Sequence, residues 1–262
     1  MISQDLKTLE ERSIYIIREA KLKFKNVAAL WSMGKDSTTM LALTRKAFLG
    51  KIPFPVIHID NGIDYPETYE FREELAKKWN FKVIVEKSKI MPDSVGSACC
   101  GKNKPEALKK VMKEYGFDAL IVSIRRDEHG IRAKERYMSP RNQSFKWDYK
   151  NQPAELWDDY SSKSDAKGHI RVHPLLDWNE IDIWRYIKQE KVPVNPLYFS
   201  RNGFRFRSLG CTHCTIALKS NAKNVDDIIK ELETTKVEER SGRSMDKENE
   251  YVMQRLRALG YM

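Results

Sequence analysis

What this 262-residue sequence has little of sets the first limits. It holds four cysteines and five histidines. Four cysteines in a chain expected in the cytoplasm read as free thiols, a metal site or redox chemistry before structural disulfides. No run of 18 apolar residues occurs, which excludes a membrane-spanning helix. The opening MISQDLKTLEERS has no basic stretch followed by an apolar one, so no signal peptide is expected and the cytoplasm is the expected location. There is no internal repeat and no low-complexity tract. There is also no G-x-x-x-x-G-K-[ST] run, which excludes the P-loop of kinases.

What is present reads as one globular domain, or one domain with an appendage. Hydrophobic residues make up 41% and charged residues 32%. Lys and Arg outnumber Asp and Glu by 47 to 37, a net charge of +10. That excess suits a polyanionic partner such as a nucleotide, a nucleic acid or an acidic protein; a solvated lysine-rich surface is the plain alternative. Apolar residues at helical spacing predict a helix over 3–24. Short apolar runs predict strands at 27–32, 54–60, 81–87, 118–124 and 169–176, with a helix after each of the first three and after the last. SSKSDAKGH, 161–169, reads as a surface loop. This alternation predicts an α/β fold with a doubly wound, mostly parallel sheet flanked by helices, with ligands bound outside the carboxyl ends of the strands.

Three stretches after predicted strands carry the chemistry. WSMGKDSTTM joins the first strand to a helix. Helix N-termini favour anions, so Gly34, which lets the backbone approach, Lys35 and the hydroxyls of Ser32, Ser37 and Thr38 form a candidate phosphate cradle. Asp60 and Gly62 follow the second strand, where a carboxylate can hold Mg²⁺ or a ribose hydroxyl. SIRRDEHGIRAKERY follows the fourth and gathers Arg125, Arg126, Arg132, Lys134 and Arg136. Guanidinium groups match phosphate or sulfate oxygens. The interleaved Asp127, Glu128 and Glu135 leave a salt-bridged helical face as the alternative.

The S-x-G-x-D-S spacing resembles the PP-loop of ATP pyrophosphatases, which cut ATP between its α- and β-phosphates. Met33 stands where that loop usually has a second glycine. On this likeness residues 1–198 form a PP-loop ATP-binding α/β domain and 199–262 a C-terminal segment with the C-x-x-C and a basic tail. SMGKDSTTMLALTRKAF, YGFDALIVSIRRDEHGIRAKER, RVHPLLDWNEIDIWRYI, VPVNPLYFS and FRFRSLGCTHCT, in that order, resemble the small subunit of bacterial sulfate adenylyltransferase, in the PAPS reductase superfamily. The likeness covers roughly residues 20–262. It implies an adenine nucleotide alpha-hydrolase-like fold and a nucleotidyltransferase of sulfur metabolism. Sulfate would attack the α-phosphorus of ATP with Mg²⁺ present, giving adenosine 5′-phosphosulfate and pyrophosphate.

By position, Ser32, Gly34, Lys35, Asp36 and Ser37 would hold the phosphates. Asp60 and Gly62 would lie near the nucleotide, and Arg125, Arg126 and Arg132 would gather sulfate or pyrophosphate. The implied partner is a GTPase large subunit. Three departures stand out: DNG at 60–62 where the family has D-T-G, no insertion between PLYF and RFR, and an adjacent cysteine pair.

That pair, Cys99 and Cys100, together with Cys211 and Cys214 resembles the C-C…C-x-x-C set of adenylyl-sulfate reductases, which holds a [4Fe–4S] cluster. Four thiolates also suit Zn²⁺, and incidental buried thiols are the third reading. No cysteine follows Cys214, so a reductase acting through a C-terminal thiol is not expected. Two competing functions remain at this level. One is an iron–sulfur-dependent sulfur transfer to nucleic acid, in DNA phosphorothioation or tRNA thiolation, with a cysteine desulfurase as partner. The other is a non-catalytic nucleotide-binding regulator. An oligomer is compatible with each.

Overall fold

Each short apolar run forms a strand, and the runs assemble into one sheet. In the computed structural model the described residues are 4–88, 103–128, 135–148 and 168–235, with Arg132, Glu155, Val237 and Glu239. Cys99, Cys100, Lys134, positions 161–167 of the expected loop and the tail beyond 239 lie outside them. The strands β1 (Val27–Leu30), β2 (Val56–Asp60), β3 (Val83–Lys87), β4 (Ala119–Ile121), β5 (Met138–Arg141) and β6 (His169–Val172) stand in the order β3-β2-β1-β4-β6-β5. All neighbours are parallel except β5, which runs antiparallel to β6 at the edge. The expected mostly parallel sheet is therefore present. The edge strand MSPR was not expected from sequence: it has no apolar run, and its Pro140 is tolerated because an edge strand leaves one side of its ladder unpaired.

The helices α1 (Gln4–Lys23), α2 (Lys35–Ala47), α3 (Pro66–Trp79), α4 (Lys104–Glu114), α5 (Glu180–Glu190) and α6 (Val225–Thr234) divide between two sides. The side chains of a strand alternate between faces, so each strand feeds two cores. Val27, Ala29, Val56, Ala119, Ile121, Ile170 and Val172 join the larger core, with Ile17 of α1, Leu41 of α2, Leu75 of α3, Trp184 of α5 and Ile228 of α6. Ala28, Ile57, Ile59 and Leu120 face the other way, onto Leu108, Val111 and Met112 of α4. Chain order runs outward from β1 to β2 and β3, then returns to β4 on the other side of β1. The switch point between β1 and β4 is where a doubly wound sheet opens a crevice.

The C-terminal part adds a two-stranded ribbon, β7 (Phe204–Arg205) with β8 (Leu218–Lys219), and α6. Where the family resemblance leads one to expect an insertion, the chain turns tightly. Asn202 and Gly203 both take positive φ, 53° and 81°, and Arg201 and Phe204 exchange backbone hydrogen bonds of 2.8 and 3.1 Å. Two central residues with positive φ make the turn whose twist suits a β-ribbon. No helix among the described residues is long and apolar enough to cross a membrane.

Candidate active site

The loop after β1 is shaped by three local contacts. Met33 takes φ +56°, a region that favours glycine, which explains why glycine is usual there; here the side chain is held in the larger core. Gly34 has ordinary φ, and its need is space: a Cβ would lie 3.3 Å from the Tyr198 hydroxyl and 3.4 Å from Ser32 Oγ. Ser37 accepts from the Ser32 N–H at 3.3 Å and donates to the Gly34 carbonyl at 3.1 Å. Lys35 opens α2, and its backbone N–H donates to the Tyr198 hydroxyl at 2.8 Å. The loop and the helix start line a cavity of about 530 Å³, a size suited to a small ligand.

Two cations at this helix start converge on a residue far away in sequence. The Lys35 ammonium and the Arg125 guanidinium, 1% and 0% exposed, both pair with the buried carboxylate of Glu239. Asp36 also pairs with both, at 3.2 Å from the Lys35 Nζ. Arg125 Nε donates to Asp127 at 2.9 Å, and the other Asp127 oxygen accepts the Glu180 N–H at 2.8 Å, tying the end of β4 to the start of α5. Burial works against the charge of Lys35, but Glu239, Glu180 and Tyr198 outweigh it and raise the pKa. Burial likewise opposes the Glu239 carboxylate, yet Lys35 and Arg125 hold it well below the usual range. The group is thus a charged clamp, with a carboxylate between two buried cations.

The other expected site residues divide. Ser32, Gly34, Lys35, Asp36, Ser37, Arg132, Cys211 and Cys214 line the cavity. Asp60, Gly62, Arg125 and Arg126 are not on its lining. Asp60 is engaged locally, accepting from the Gly62 N–H at 2.7 Å and the Tyr69 hydroxyl at 2.9 Å. Burial would raise its pKa, but these two bonds lower it. Arg126 pairs with Asp177 and lies over the Tyr137 ring. Arg132 pairs with Glu128, which also lines the cavity.

A model of the phosphoadenosine phosphosulfate reductase domain matches residues 26–217. The chain belongs to that domain family. Within it, the sulfate adenylyltransferase subunit 2 of Psychromonas ingrahamii is 40% identical, over 98% of this chain and 97% of that protein. The subunit 2 of Colwellia psychrerythraea is 39% identical, over 98% of each. Among solved structures, a PAPS reductase from Candida auris in complex with phosphate has a TM-score of 0.55 at 19% identity, covering 82% of this chain and 98% of that one. An FMN adenylyltransferase from Candida glabrata with FAD and pyrophosphate has a TM-score of 0.60 at 17% identity, covering 82% and 68%. These structures show a shared fold.

In this family member Cys211 and Cys214 are buried, with the Cys214 N–H donating to the Cys211 carbonyl at 3.1 Å. Among the described residues no three His, Cys, Asp or Glu side chains converge as a metal site. Mg²⁺ carried on a nucleotide needs only one or two protein carboxylates. Asp36, 18% exposed at the cavity, fits that need. Among the cavity residues not expected from sequence are Glu239, Tyr198 and Arg171. Only Arg171 carries a local signal, a guanidinium set between apolar residues inside a strand.

Proposed function

We propose that this chain adenylylates sulfate, converting ATP and sulfate into adenosine 5′-phosphosulfate and pyrophosphate. What carries the reading is the pair of buried cations, Lys35 and Arg125, held together at the start of α2 on one carboxylate. Phosphate oxygens would take the place of that carboxylate. Lys35, with the Ser32 and Ser37 hydroxyls, then holds the polyphosphate beside the helix N-terminus. Arg125 keeps its place through Asp127, so its charge is fixed before ATP arrives and no reorganisation is needed during reaction. Arg132 adds a third cation, and Gly34 lets the nucleotide approach the backbone. A sulfate oxygen attacks the α-phosphorus, the new S–O–P linkage forms, and the bond to the β-phosphate breaks with its electron pair on pyrophosphate. Mg²⁺, when bound, neutralises charge on the departing phosphates, and Asp36 is the carboxylate placed to hold it.

The relatives are named as a subunit 2, so a large subunit, a GTPase on the family resemblance, is the expected partner. The test follows products: the protein, alone and with that subunit, is given Mg²⁺-ATP and labelled sulfate. Labelled adenosine 5′-phosphosulfate and pyrophosphate should appear in equal amounts, and ADP as the main product would sink the reading.

We also assign Cys99, Cys100, Cys211 and Cys214 to a [4Fe–4S] centre, with Zn²⁺ as the alternative metal. Support comes from two buried thiols of a C-x-x-C facing the same cavity, a soft-ligand pair suited to either. Anaerobically purified protein should carry about four iron per chain, and Cys211→Ser should lose most of it. Full retention of metal in that variant would count against the assignment.

A further inference from the structure

We propose that Arg171 anchors the sulfate, forming an oxyanion subsite distinct from the phosphate clamp of Lys35 and Arg125. This rests on the reading of the chain as an enzyme that adenylylates an oxyanion.

The register of β6 places Arg171 there. Ile170 and Val172 point into the larger core. Arg171 lies on the opposite face, beside Leu120 of β4 and Ser139 of β5. An arginine in the middle of a buried strand does nothing for packing that a valine would not do better. Its side chain instead lines the cavity that holds Lys35 and Ser37.

The charge around it is unbalanced. Arg171 Nε is buried and has no hydrogen-bond partner, and among the described residues the guanidinium forms no ion pair. Two other guanidiniums stand near, but each has its own carboxylate. Arg141 donates to Glu135 at 2.7 Å, and Arg132 pairs with Glu128. The second Glu135 oxygen accepts from Ser139 at 2.6 Å. Burial, then the charge of Arg141, pushes the Arg171 pKa down to about 10, against the opposing charge of Glu135. A half-buried guanidinium pressed by other cations, whose nearest favourable carboxylate, Glu135, is itself paired with Arg141, is a place for an anion. Lys104 from the first turn of α4 and Ser123 from the end of β4 line the same space.

The anion is a tetrahedral dianion with oxygens for a guanidinium fork, an ammonium and a hydroxyl. The clamp belongs to β1 and β4, whereas Arg171 comes from β6. β1 and β6 stand on either side of β4, roughly 10 Å apart at the usual strand spacing. Nucleophile and leaving group need separate places on either side of the α-phosphorus. Two separate cationic places supply them.

The test uses the full chain, labelled sulfate in equilibrium dialysis, and α,β-methylene ATP as a nucleotide that cannot react. Arg171→Gln should weaken sulfate retention at least tenfold while nucleotide affinity stays within twofold of the native protein. Arg171→Lys, which keeps charge but loses the fork, should weaken sulfate several-fold, and it decides the matter if the glutamine variant does not fold. In turnover the sulfate KM should rise at least tenfold, with the ATP KM within twofold. Native-like sulfate retention in both variants, equal loss of sulfate and nucleotide, or no sulfate retained by native protein would each overturn the subsite. Sulfate binding that depends on Arg171 without any pyrophosphate release would uphold the subsite and remove the adenylylation reading instead.

Discussion

Lys35 and Arg125 share one counter-ion, and that dependence can be measured at a single residue. Glu239→Ala would leave two buried cations without the carboxylate they share. Asp36 remains, but it is the more exposed partner. Breaking a buried pair by removing one side costs about 3–5 kcal/mol. The urea midpoint of the variant should therefore fall clearly without nucleotide. If phosphate oxygens take the place of the carboxylate, Mg²⁺-ATP should recover much of that deficit, more than it adds to native protein. A deficit of equal size with and without ATP would show that the two cations do not meet the phosphates. The pH dependence has a definite sign. The carboxyl is held below its ordinary value of 4.5, so its contribution is complete above that value and is lost as pH falls toward the lowered one. The gap between native and variant should thus be constant near neutrality and close in acid.

At the scale of elements, what could be read from sequence depended on whether the determining contacts are local. The central parallel strands were legible because strands buried on both faces are short apolar runs, as in VAAL and VIHID, and the edge strand β3 through its β-branched VIV run. They are shorter than the runs suggest: β6 stops at Val172, ahead of Pro174. β5 was not legible, because distant groups hold it. Its start is fixed by Glu155, whose two oxygens accept the Tyr137 and Met138 N–H groups at 3.0 and 2.7 Å, and its end by the Arg141–Glu135 pair. Helix α6 has regular spacing at Val225, Ile228, Ile229 and Leu232, but its seat is set by residues distant in sequence: Ile228 joins the core that holds Ile183 and Trp184 of α5. The same distinction separates the site residues. Ser32 to Ser37 are contiguous and tied to one strand–helix junction, so the spacing alone announced them. Glu239 reaches Lys35 across 204 positions and has no local signature in KVEERSGR. Arg171 could have been found from its strand pattern, since a lone guanidinium in HIRV breaks an apolar run.

For the molecule as a whole, the question is whether the part after Tyr198 is an appendage or a piece of the main body. Its contacts argue for the second. Ala222 and Ile228 belong to the same core as Ile183, Trp184 and Ile187. Arg207 grips the buried Glu180 carboxylate with bonds of 2.7, 3.1 and 3.2 Å, and also donates to the Val237 carbonyl at 2.6 Å. Arg205, 1% exposed, pairs with Glu231. The Thr212 N–H meets the Ile63 carbonyl at 3.0 Å, fastening the C-x-x-C turn to the loop after β2. A chain ending at Tyr198 would lose all of these at once. It would expose the apolar stripe of α5 to water, strip Glu180 of its guanidinium, and remove Glu239 from the clamp. Losing the Glu180 pair alone costs about 3–5 kcal/mol, a large share of the roughly 5–15 kcal/mol that holds a typical domain folded. Such a chain should therefore melt without a sharp transition, bind a hydrophobic dye such as ANS, and fail to retain ATP. Calorimetry beside nucleotide dialysis checks this. A sharp melt within a few degrees of the full chain, with ATP retained, would show instead that residues 1–198 fold and bind on their own.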